Sequence, residues 1–110
     1  MPLSVKARIE VYLPDLPKTV YQELLQIFTA EFTTAFGGCT IVRGLDGNYL
    51  SKFGQIIPDR INLIYTDLPL ALSTNFESVA RYADELKQAA VEALSEEAIL
   101  VAVTQVYHAV

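Results

Sequence analysis

Few side chains in this chain can do chemistry, and their scarcity restricts what it can do. Cys39 and His108 are the single cysteine and the single histidine in 110 residues. A metal centre needs several converging ligands. One histidine cannot build a cluster, and carboxylates such as Asp46 and Asp59 show no ligand spacing, so neither a metal nor a cofactor is expected. Cys39 has no histidine beside it in sequence and reads as a small packed residue rather than a nucleophile. The remaining candidate is Arg43, which with Lys6, Arg8 and Arg60 makes either an anion site or a set of cross-strand ion pairs to Glu10 or Asp59. Arg43 opens a glycine-punctuated stretch, Gly44-Leu-Asp-Gly-Asn, that lacks the pattern of a phosphate loop; its glycines serve turn geometry. If a small ligand binds, Thr40, Arg43, Gly44, Gly47, Tyr49 and Lys52 are the expected site, with Arg43 supplying charge and Tyr49 or Lys52 closing over it.

The elements that position these residues follow from periodicity. Leu3 to Leu13 alternates apolar and polar as a half-buried strand does. Thr19 followed by Gln22 has the form of a capping box, Tyr21, Leu24, Leu25, Phe28, Phe32 and Phe36 recur at helical spacing, and Gly37 stands where a helix-ending glycine belongs. A second strand is expected at Thr40 to Arg43. A third is expected at Arg60 to Thr66, burying Ile61, Leu63 and Tyr65. The polar segment from Leu45 to Pro58 between them is expected to be a loop, longer than a hairpin requires. Thr74 with Glu77 opens a second amphipathic helix through Leu94, and Ala98 to Val110 reads as a strand covered on both sides.

The order β-α-β-β-α-β predicts one α+β domain over residues 1–110 with the ferredoxin-like split βαβ fold: a four-stranded antiparallel sheet with both helices on one face. On this reading Val5, Ile9, Val42, Leu63 and Val101 face the helices. Lys6, Arg8, Glu10, Arg43, Arg60, Asn62 and His108 face away, together with Ile41, Ile64, Leu100 and Val106. A net charge of −5 disfavours nucleic acid and anionic membranes as partners. No apolar run suits a signal peptide or membrane span, and the expected location is the cytoplasm. A 52% hydrophobic composition and a mean hydropathy of +0.30 are rich for one small domain. They predict a homo-oligomer, a trimer or a dimer, whose bare sheet face is buried between copies.

Gly38, Thr40, Val42-Arg43-Gly44 and Asp59-Arg-Ile-Asn-Leu-Ile-Tyr resemble the corresponding positions of the PII-like signal-transduction proteins. That family consists of trimers with this fold that bind nucleotides in clefts between subunits. The resemblance implies a non-catalytic regulatory or small-molecule-binding protein, its ligand an organic anion or nucleotide, with Thr40, Arg43 and Gly44 marking the cleft. The interval from Thr40 to Arg43-Gly44 is shorter than in that family, and its glycine-lysine stretch before the last strand is absent. The opening Met-Pro-Leu is similar to the tautomerase family, which implies an alternative in which Pro2 acts as catalytic base and Arg8 or Arg43 holds a substrate carboxylate. A structural or protein-interaction module without a metabolite ligand is the third expectation.

Overall fold

The computed structural model describes residues 3–95 and 99–109. Six elements follow one another: β1 (Leu3–Pro14), α1 (Thr19–Phe36), β2 (Thr40–Leu50), β3 (Ile56–Leu68), α2 (Phe76–Leu94) and β4 (Leu100–Ala109). The strands form one antiparallel sheet in the order β2-β3-β1-β4. The α+β ferredoxin-like split βαβ fold is therefore the observed fold. Its core is the inner stripe of β1, Ala7, Ile9, Val11 and Leu13, packed with Leu24, Leu25, Phe28 and Phe32 of α1 and Val79, Leu86 and Ala90 of α2.

The helices end as their sequences dictate but begin differently. Gly37 takes the left-handed conformation at φ 88°, and its N–H donates to the Thr33 carbonyl, the helix-ending geometry that glycine permits without strain. At the starts, Lys18 and Asn75 are the caps, and neither makes a side-chain capping bond. Thr19 lies inside α1 and Thr74 lies one residue before the cap of α2, so neither capping box forms.

Two expectations about the middle of the chain are corrected. The segment from Leu45 to Pro58 is not a loop. Leu45 pairs with Ile61, Tyr49 with Ile57 and Leu50 with Ile56, so both strands run on into a long hairpin. Its turn is closed by Ser51: the Ser51 N–H donates to the Gln55 carbonyl, and the Ser51 hydroxyl accepts the N–H groups of Phe53 and Gln55. The apolar runs at Tyr49-Leu50 and Ile56-Ile57 carry strand propensity, and ladder pairing outweighs the glycines. The other correction is the phase of β3. Ile64 stands opposite Val11, so Asn62, Ile64, Thr66 and Leu68 face the helices, while Leu63 and Tyr65 face away. Ile41 stands opposite Ile64 and also faces inward, whereas Val42, opposite Leu63, faces outward. With apolar residues on both faces of β3, alternation alone could not choose the phase; register with β1 does.

Two polar residues are thereby buried, Asn62 and Thr66, each 3% exposed. Both are satisfied, as buried polar groups must be. Asn62 accepts the Gly44 N–H at 3.0 Å and donates to Asp15 at 3.2 Å, and the Thr66 hydroxyl donates to the Gly38 carbonyl at 2.7 Å. They tie the bulge in β2 and the exit from α1 to the central strand.

Candidate functional site

The expected site residues lie along one strand, β2 and its turn, and the structure does not gather them into one cavity. Thr40 borders a shallow depression with Cys39, Tyr65 and Asp67. Arg43 lies in a groove of about 440 Å³ between α1 and β2, with Leu25, Thr29, Ala30, Thr33 and Ile41. Gly47 lies in another groove, of about 450 Å³, beside Asp15, Asp46, Asp59 and Arg60. Tyr49 and Lys52 are exposed farther out, and Lys52 Nζ is 5.5 Å from the centroid of the Phe53 ring. Strand geometry separates them: at about 3.3 Å per residue, a run from 40 to 52 extends over roughly 40 Å.

Gly44 is the hinge of this arrangement. The register with β3 shifts between Val42 and Leu45, which makes a bulge, and Gly44 adopts φ 67° there. A Cβ at this position would lie 2.6 Å from Nη2 of Arg60. That atom is the tip of a flexible, largely exposed side chain that can move aside, so the positive φ is what calls for glycine, and the bulge redirects the strand beyond it. Arg43, just before the bulge, is exposed and donates to the Gln22 side-chain carbonyl at 3.4 Å, its one hydrogen-bond partner among the described residues.

The arginines sort to different faces, so no single anion site unites them. Arg8 lies on the open sheet face as expected, whereas Arg43, expected there too, shares the inward phase of Ile41 and lies on the helix side. Ion pairs do form, with partners other than Glu10 and Asp59. Arg8 donates to Asp67 twice, at 2.7 and 3.0 Å, and its guanidinium lies 4.3 Å from the centroid of the Tyr65 ring. Nε2 of His108 is 2.7 Å from the same carboxylate. These bonds, Arg8 first, hold the Asp67 carboxyl below the usual carboxylate range against the opposing effect of burial. Arg60 pairs with Asp15 at 3.7 Å, and Asp59 accepts the N–H of Arg60. The Arg8-Asp67-His108 network escaped sequence reasoning because it joins three strands. Its only sequence signal was a carboxylate just beyond the expected end of the third strand.

Beyond Ile61, β3 has no pairing with β1. The outer part of the hairpin is therefore a two-stranded arm. Leu50 is 70% exposed, Phe53 82% and Ile56 75%, with Tyr49 also exposed. Among the described residues no group of three or more His, Cys, Asp or Glu side chains is placed to hold a metal ion. No helix there is long and apolar enough to cross a membrane. Pro2 and the acidic pair Glu96 and Glu97 lie outside the described residues.

The fold has solved counterparts. The chain is similar in structure to CutA1 from Oryza sativa, with a TM-score of 0.59 and 15% identity over 94% of this chain and 82% of that one. It is similar as well to the divalent cation tolerance protein (Cut A1) from Thermus thermophilus, with a TM-score of 0.55 and 14% identity over 91% and 82%. At such identities the likeness is one of fold. No protein-family model and no curated protein matches the sequence.

Proposed function

We propose that this chain is a non-catalytic binding or regulatory module that works as a homo-oligomer, a trimer or a dimer, and takes an anionic ligand at β2. The observation that carries the assembly is the arm. A two-stranded hairpin without a third layer is marginal in water, and this one exposes Tyr49, Leu50, Phe53 and Ile56 at its end. Packing against another copy supplies the missing layer. The open sheet face adds Tyr12, Val42, Leu63 and Leu100, all accessible in the single chain, and the fold shared with the CutA1 structures supports the same reading.

For the ligand, Arg43 is an exposed cation without a carboxylate partner among the described residues, and Thr40 and Gly44 lie on the same strand. The resemblance to PII-like proteins favours an organic anion or nucleotide there, and a cleft completed by a neighbouring copy would bring Tyr49 or Lys52 of that copy within reach. The Thermus protein is named for tolerance of divalent cations; this proposal rests on an arginine and names no cation. Light scattering coupled to size exclusion tests the assembly: an oligomer is expected at micromolar concentration, and Phe53→Ser with Ile56→Ser shifts it toward monomer. A monomeric parent overturns the reading. Thermal stabilisation by nucleotides or di- and tricarboxylates, lost in Arg43→Ala, tests the ligand.

A further inference from the structure

The two helices do not cover the sheet evenly. α2 packs on β4 and β1, and α1 packs on β3 and β1, so among the described residues β2 alone has no helix over it. Its inward side chains face the flank of α1 across a groove of about 440 Å³, lined by Leu25, Thr29, Ala30, Thr33, Ile41 and Arg43 among others. That volume lies within the range of small-ligand sites, which are mostly apolar with a few placed polar groups. The lining carries one formal charge, Arg43. Of the acidic residues of α1, Glu23 is not in the lining, and Glu31 accepts the Tyr82 hydroxyl at 2.9 Å on the α2 side. The floor of Leu25, Ala30 and Ile41 is apolar, and the Thr29 hydroxyl donates to the Leu25 carbonyl. The charge stands at one end, because Arg43 reaches Gln22 near the start of α1. From Leu25 the lining follows the helix as far as Thr34, about 13 Å at the helical rise.

We propose that the α1-β2 groove binds a hydrophobic monocarboxylate, with the carboxylate on Arg43 and the Gln22 amide and an acyl or aryl body along Leu25, Ala30 and Ile41. This rests on the reading of Arg43 as an anion site and names the class of anion. Charge complementarity selects the head. The one hydrogen bond printed by the geometry for Arg43 goes to a neutral carbonyl at 3.4 Å, which leaves the other guanidinium donors, and the Gln22 amide donors beside them, for a carboxylate. The lining selects the rest of the molecule. A second negative charge would lie against apolar side chains with no cation to meet it, so a single charge with an apolar body is favoured over a nucleotide or citrate. The assembly reading places a neighbouring copy against the edge and the arm of β2. A strand added at that edge continues the sheet in its own plane, about 4.8 Å away. It runs beside Ile41 and Arg43 and extends the floor of the groove without lying over α1.

The test is isothermal titration of the full chain at neutral pH with butyrate, hexanoate, octanoate and phenylbutyrate, each below micelle-forming concentration. Octanoate or phenylbutyrate is expected to bind saturably. Along the alkanoates, affinity rises about twofold to fourfold per CH₂, the upper figure being that of a fully buried methylene. Arg43→Ala weakens binding about tenfold, the size of one charge-assisted pair, and Arg43→Lys restores part of the loss. Octyltrimethylammonium, with the same tail and the opposite charge, does not bind. Ala30→Trp fills the exposed floor and blocks binding while circular dichroism stays unchanged, whereas Phe53→Ser with Ile56→Ser, on the bare arm, leaves binding intact. Absence of binding by both octanoate and phenylbutyrate at millimolar ligand overturns the proposal, as does binding indifferent to Arg43→Ala and Ala30→Trp. Octanoate that binds only while dissociating an oligomer shows that a second copy fills the groove, and also overturns it. Stabilisation by nucleotide or citrate through Arg43, without octanoate or phenylbutyrate binding, sinks this inference and leaves the anion-site reading standing. Octanoate binding through Arg43 to a monomeric parent sinks the assembly reading and leaves this one standing.

Discussion

The inner and outer halves of the β2-β3 hairpin are built from similar residues and meet opposite fates. In the inner half, Ile64 and Leu68 of β3 are buried against β1 and the helices, and Asn62 and Thr66 find hydrogen-bond partners there. In the outer half, Leu50 and Ile56 stand opposite one another and are largely exposed, with no layer among the described residues over them. Apolar character is shared by both halves, so composition cannot account for the difference. What differs is whether a third strand and a helix layer lie within reach. An apolar strand satisfied within its own chain contributes to folding, while one left unsatisfied is a surface for association.

Four measurements sharpen or break that contrast. The largest effect is expected in the covered half, where Phe32→Ala removes a fully buried ring stacked on Phe28 at 6.1 Å. It should cost about 3–5 kcal/mol in chemical denaturation, with loss of fold as its limit. A loss under 1 kcal/mol would mean that the helix layer is not the principal core. Next comes Asn62→Leu, which strips the Gly44 N–H and the Asp15 carboxylate of a partner at the junction between the halves. A loss of about 1–3 kcal/mol is expected, because the buried donor left behind retains its desolvation cost.

The third prediction concerns pH. The folded state holds Asp67 below the ordinary carboxylate range, chiefly through Arg8, so the folded protein binds this proton less readily than the unfolded chain. The resulting stability is fully present above the ordinary range and is lost as pH falls through it toward the depressed folded value. Denaturation midpoints of the parent should decline over that interval more steeply than those of Asp67→Asn. Parallel curves would show that the carboxylate is not held by Arg8 and His108 in solution. The smallest effect on folding is expected at the arm: Phe53→Ser should leave the stability of the separated monomer within about 0.5 kcal/mol. The same substitution should weaken association. If it destabilises the monomer as much as Asn62→Leu does, the outer half is packed within its own chain and the contrast fails.

Much of this was legible in the chain. The alternation of Leu3 to Leu13, the helical spacing from Tyr21 to Phe36 and the glycine at 37 identify β1, α1 and its end, because each is a local pattern with a local cause. The element order then limits the topology to few choices. Arg43 and the glycines after it mark β2 as unusual. The arm itself was not legible, since Leu45 to Pro58 is punctuated by turn-forming residues at Asp46, Gly47, Asn48 and Pro58, and pairing across the hairpin keeps them in strand.

The sequence by itself determined the number, type and order of the elements and the excess of apolar surface, because these depend on neighbours within a few residues. Only the tertiary structure decided the face on which β3 buries its side chains, the meeting of Arg8, Asp67 and His108, and the division of the hairpin into a covered base and a bare arm. Each of those depends on strand register, and register is a relation between residues far apart in the chain. Shifting it by one residue turns every side chain to the other face while leaving the local pattern unchanged.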